Sequence, residues 1–187
     1  MQLQEMKKKI LGMIEELDIN EESLTSDQDI ETKLNDTINQ VMFELARMKK
    51  IPDYVEMQVQ AGDLVRLEDI ATASGYDVYQ IDKVRGTAYE LKANGTIIKA
   101  LESGTLEIDY FKYPERITEK TNGNYEFELS QDALEILPYG VAGDLLKTDV
   151  STNYGQIFSE RYETMLSRLD PRYTMGTFTI EGGVVIG

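Results

Sequence analysis

Two carboxylates on one extended segment, Glu107 and Asp109, are the residues of this chain best spaced for chemistry. Alternate strand residues share a face roughly 7 Å apart, a separation at which glycosidases place an acid and its partner. Such a pair needs a cleft with aromatic walls for the sugar. No neighbouring segment supplies one, and alternation with Leu106, Ile108 and Tyr110 is the pattern of an exposed sheet face.

A second acidic group, Asp27, Asp29 and Glu31, has the alternating spacing of a calcium loop. That loop also needs a central glycine and a terminal bidentate glutamate. Here Asn35 and Asp36 instead continue an amphipathic pattern, so these acids are read as a helix start. Glu15-Glu16 and Glu21-Glu22 are read as solvated faces.

Nucleophilic chemistry has little to work with. The chain contains no histidine and no cysteine, which removes the commonest general base, thiolate metal sites and disulfides. No serine lies in Gly-x-Ser-x-Gly or Ser-x-x-Lys. Gly182-Gly183 precedes no helix and makes no phosphate loop. The aromatics Tyr79, Tyr89, Tyr110, Phe111 and Tyr113 could stack on bases. Acidic residues offset the few cations around them (Lys83, Arg85, Lys92, Lys99, Lys112), so cross-strand packing explains them better. No catalytic, cofactor or metal residue is therefore assigned.

The elements that would position any site follow from periodicity. Of the 187 residues, 41% are hydrophobic, enough for a core, and the formal net charge is −15. Such a surface repels nucleic-acid phosphates but could line a passage along which DNA slides. No run approaches the length of a membrane span, and the N-terminus has charge without a hydrophobic signal core. We therefore expect the protein to be made in the cytoplasm and to need no membrane.

Leu3, Met6, Ile10, Met13, Ile14 and Leu17 form one face of a helix over 3–17. After a polar connector, Asp18 to Thr25, and the cap residues Ser26 and Asp27, a second helix runs to about Lys50. It carries Ile30, Leu34, Ile38, Val41, Met42 and Leu45. Residues 54–113 read as an antiparallel meander, with Asn94-Gly95 as its strongest hairpin signal. The stretch Gly62 to Gly75 fits a short helix or a strand. A third helix begins near Gln131, and Pro138 with Gly140 should kink or split it. A link, Asp149 to Asn153, leads to a fourth helix with Ile157, Phe158, Tyr162, Met165, Leu166 and Leu169 on one face.

The C-terminal residues are of another kind. Tyr173, Met175, Phe178, Ile180, Val184, Val185 and Ile186 lend an apolar, strand-like pattern to a terminus. An apolar strand needs a partner edge, its own or another chain's. These seven residues are the candidate assembly arm, and another chain is the preferred partner.

The order of elements resembles the head–tail connector, or adaptor, proteins of tailed bacteriophages, including the tail tubular protein A or gatekeeper rings. The best local match is Phe127 to Leu146, with Leu137-Pro-Tyr-Gly-Val-Ala142 at its centre, followed by the helix Gln156 to Leu166. The resemblance implies an α+β fold: a four-helix bundle-like core with an inserted antiparallel β-meander and an extended C-terminal arm. It implies a single domain over 1–171, helical over 1–51 and 130–170 with the insertion at 54–113, and an arm over 172–187. It further implies a structural, non-enzymatic virion protein at the head–tail interface. Such a subunit joins a dodecameric ring, contacts portal protein, tail protein and sister subunits, and surrounds the DNA ejection conduit without gripping DNA. The alternatives are a tail-completion or tail-terminator protein, or, in another class, a small carbohydrate-binding or hydrolytic module using the meander face.

Overall fold

The computed structural model describes residues 1–16, 24–25, 28–147 and 153–169. The cap residues Ser26 and Asp27, most of both expected links and the whole candidate arm, Tyr173 to Ile186, lie outside the described residues.

Helix α1 spans Leu3–Met13, buries Leu3, Met6, Ile10 and Leu11, and starts with the Gln2 N–H donating to the Glu5 carboxylate at 3.0 Å. Its first free amides are taken by loop carbonyls: Leu3 N donates to Tyr125 O and Gln4 N to Gly123 O, both at 2.9 Å. Helix α2 spans Gln28–Met48 and buries Leu34, Ile38, Val41, Met42 and Leu45 on one stripe. Helix α4 spans Gln131–Leu145, and α5 spans Tyr154–Leu166. Between α2 and α4 lie six strands: β1 (Ile51–Val59), β2 (Leu64–Arg66), β3 (Val78–Gly86), β4 (Tyr89–Lys92), β5 (Ile97–Ala100) and β6 (Gly104–Lys112). The ambiguous stretch after Gly62 holds both β2 and a short helix, α3 (Leu67–Ser74).

The expected four-helix bundle-like core is overturned. The described residues hold five α-helices and two three-stranded antiparallel sheets, ordered β1-β6-β3 and β2-β5-β4. A bundle needs each helix to turn one apolar stripe toward a shared axis. Helix α4 is instead buried almost all round, from Ala133 to Gly143, and α1, α2 and α5 pack about it. Helix α5 leaves Ile157 52% and Tyr154 48% exposed. The α3 helix belongs to the sheets, with Ile70 fully buried among Val59, Val65, Val84 and Ile98.

The antiparallel meander holds in part: every pairing between residues 51 and 112 is antiparallel, but the strands divide into two sheets. The last strand, β6, sits at the centre of its sheet between β1 and β3, so spatial neighbours are not sequence neighbours. Its burial explains the position: Leu106, Ile108 and Tyr110 face the sheet core under α3, while Phe111 on the other face is covered near α2. That other face is covered only toward its Phe111 end, since Glu107 stays exposed and Asp109 half-buried.

Pro138 and Gly140 do not break α4, which runs unbroken through both. The glycines act by close approach. A Cβ on Gly140 would come within 2.8 Å of Val41 Cγ1 and of the Tyr162 ring, and one on Gly143 within 2.6 Å of Ser159 Oγ. They let α2 and α5 seat directly on the α4 backbone.

Candidate functional site

Arg85 on β3 determines what Glu107 and Asp109 can do. Its two terminal nitrogens donate to the two Asp109 oxygens at 2.6 and 2.8 Å, and its Nε donates to Glu107 Oε2 at 3.2 Å. These hydrogen bonds, Asp109's foremost, hold the guanidinium even further above its ordinary range. Both carboxylates are thus committed to one fork. Of the other acidic group, Asp29 pairs with Lys33 one turn on at 2.7 Å. Asp27 and the Glu31 side chain lie outside the described residues.

The aromatics gather at the seam between sheet and helices. Tyr79 lies 4.8 Å from Tyr113 and 6.4 Å from Phe111, ring centre to ring centre, and Tyr113 lies 5.0 Å from Phe43 of α2. The Tyr79 hydroxyl donates to Ala46 O at 3.1 Å. Burial, reinforced by Tyr113, pushes the Tyr79 phenol up to about 12. These rings weld β3 and β6 to α2.

On the opposite face of β6, Lys112 continues the inward phase of Leu106, Ile108 and Tyr110. Its ammonium contacts Asp53 at 3.2 Å and Glu128 at 3.1 Å and lies 3.3 Å from the centre of the Tyr76 ring. Burial works against its charge, but hydrogen bonds to Glu128 and Asp53 outweigh it and hold the group above the ordinary lysine value. Sequence reading counted Lys112 among the strand cations. Its place in the inward phase was the available signal that it is buried.

A cleft of about 560 Å³ opens beside the seam. Phe43, Arg47, Tyr113 and Arg116 line it together with Glu68 and Asp77. The Arg47 guanidinium lies 5.4 Å from the Tyr113 ring centre, and that of Arg116 lies 5.2 Å from Phe43. The Arg47 Nε–H also donates to the Tyr113 hydroxyl. Sequence reading missed this site, because its residues come from four separated segments.

The sheet edges bear on the candidate arm, whose residues Tyr173, Met175, Phe178, Ile180, Val184, Val185 and Ile186 all lie outside the described residues. Strand β1 pairs with β6 in unbroken register from Ile51 to Val59. Amide groups along such an edge alternate inward and outward. The Tyr54 N–H is taken by the Asp53 carboxylate at 2.8 Å, so it lies on the outward phase. Pro52, in that same phase, has no N–H. Strand β3 is bulged at two points, between Val78 and Gln80 and between Ile81 and Lys83. Strand β2 pairs over three residues and β4 over four. Capped donors, proline, bulges and short strands are the devices that blunt an edge.

Among the described residues no group of three or more acidic side chains is placed to hold a metal ion. No described helix is long and apolar enough to cross a membrane. No protein-family model matches this sequence, and comparison with curated proteins finds no match.

Proposed function

We propose that this chain is a structural subunit of a tailed-bacteriophage virion, a head–tail connector that joins portal to tail around the DNA path. One observation carries the reading: a strand-patterned apolar segment, 173–186, in a chain whose described sheet edges are short on β2 and β4, bulged on β3 and blunted at Pro52 and Tyr54 on β1. Identical copies carry the same short, bulged or partly capped edges. A terminal strand therefore finds its best complement on a different polypeptide, which in a connector is the portal protein. Sister subunits meet through other surfaces to close the ring, a heterologous contact repeated around an axis. The net charge of −15 suits a wall past which DNA slides without sticking.

The test removes residues 172–187 and mixes the purified chain with the portal protein encoded close upstream of its gene. Electron microscopy should show rings on portals for the full chain and bare portals for the truncated one, with unchanged circular dichroism. A truncated chain that unfolds indicates that the terminus folds back on its own domain. A truncated chain that still decorates portals removes the arm from assembly. Either result overturns this reading.

A further inference from the structure

We infer that the cleft lined by Arg47 and Arg116 is a recognition site for a carboxylate side chain carried on an apolar polypeptide segment. Its lining is drawn from residues 43–116, and the inference stands whether or not the chain is a connector.

Charge pairing is the first ground. Acidic residues outnumber basic ones 34 to 19, yet several described cations, Lys83, Lys99 and Lys120 among them, have no carboxylate within 4.0 Å, so what distinguishes the cleft is not a missing partner alone but two such arginines together. Lys33, Lys49, Arg85, Lys92 and Lys112 each have one within 4.0 Å. Among the described residues Arg47 and Arg116 have none, although they share one cleft. Glu68 and Asp77 share the cleft without closing an ion pair to either arginine.

Preorganisation is the second. Each guanidinium rests on an aromatic ring, and those two rings pack against each other at 5.0 Å. A stacked guanidinium loses less freedom when it grips a ligand, and its planar fork matches a carboxylate. Among the described residues Arg47 donates only its Nε–H, to Tyr113. Its terminal nitrogens, and all those of Arg116, donate to no other described residue.

The rest of the lining selects the ligand. Glu68 and Asp77 share the cleft with the arginines, so a polyanion such as a nucleic-acid strand is repelled as it enters. Leu67, Ala71 and Val78 add apolar surface. One aspartate or glutamate beside a small apolar side chain satisfies both parts.

The experiment follows the arginine Nε–Hε resonances of the full-length chain by nuclear magnetic resonance. The probe is the blocked peptide acetyl-Gly-Leu-Glu-Leu-Gly-amide, with its glutamine counterpart as the uncharged comparison. The Arg47 and Arg116 signals should move saturably with the glutamate peptide, and the glutamine peptide should bind about tenfold more weakly. Arg47→Gln and Arg116→Gln should each weaken the glutamate peptide to a similar degree, whereas Arg85→Gln should bind it as the parent does. Equal binding of the two peptides overturns the proposal, as does indifference to both cleft substitutions. Tighter binding of an oligothymidylate at the same arginines overturns it too, in favour of a phosphate site.

Discussion

Asn39 and Ile117 hold each other through two reciprocal hydrogen bonds across 78 residues of sequence. The Asn39 amide donates to Ile117 O at 2.7 Å, and Ile117 N–H donates back to Asn39 Oδ1 at 2.8 Å. The side chain is buried in α2, and Ile117 belongs to the helical core, so this pair pins the chain leaving β6 onto the helices.

Removing the pair strands two buried backbone groups. Asn39→Leu should cost about 3 kcal/mol, read as a lower urea midpoint at unchanged slope. Asn39→Asp makes a sharper check. A protonated aspartic acid can reproduce both bonds and an ionised one cannot. Its folded pKa is therefore raised above about 3.9, so the stability it contributes is present below that value and lost as pH rises through the folded one. The gap to the parent protein should narrow on acidification. A gap that is constant with pH contradicts the reciprocal bonding.

Gly140 separates two accounts of α4. A glycine that merely interrupts a helix gains about 1 kcal/mol on replacement by alanine. A glycine admitting Val41 and Tyr162 to within 2.8 Å of the Cβ position has no room for it. Gly140→Ala should therefore lose about 1–3 kcal/mol by overpacking. Thermal melting gives the sign directly, and a stabilised variant refutes the close-packing account.

Alkaline pH should destabilise the fold. Lys112 is held above its ordinary value, and the Tyr79 and Tyr125 phenols are pushed up to about 12, chiefly by burial. Raised values mean that the protonated forms favour the folded state. Their contribution is complete below the unfolded values, about 10 for tyrosine and lysine, and is lost as pH rises through the folded ones. Stability should be level up to about pH 10 and fall toward pH 12. Phenolate absorbance should show at least four late tyrosines, Tyr79, Tyr110, Tyr125 and Tyr162, that become ordinary in urea. Lys112→Ala leaves Asp53 and Glu128 facing each other and should cost about 3 kcal/mol at neutral pH.

Double-stranded DNA should bind weakly at moderate salt, because the chain carries −15 charges. A tight affinity that falls steeply with added salt, measured by filter binding, contradicts the role of an acidic conduit.

Legibility followed the range of each interaction. The stripe of Leu34, Ile38, Val41, Met42 and Leu45 was readable because helical period is local, and all five are buried on α2. The turn at Asn94-Gly95, where both residues take positive φ between β4 and β5, was readable for the same reason. Strand order was not, since β1 finds β6 across the whole insertion and pairing partners leave no local trace. The role of Gly140 was misread because propensity describes a helix alone, whereas its neighbours Val41 and Tyr162 come from other helices. Of the candidate sites, Glu107 and Asp109 were correctly placed on one strand, but Arg85 that neutralises them was not foreseen.

Composition and period by themselves determined the acidity, the lack of imidazole and thiol chemistry, and where most helices and strands lie. These depend on residue type and on repeats only a few residues long. Tertiary structure alone decided that β6 lies between β1 and β3, that Lys112 is enclosed by Asp53, Glu128 and Tyr76, and that Arg47 and Arg116 share a cleft. Each of these joins residues from distant segments, and only the packing of the whole chain brings such residues together.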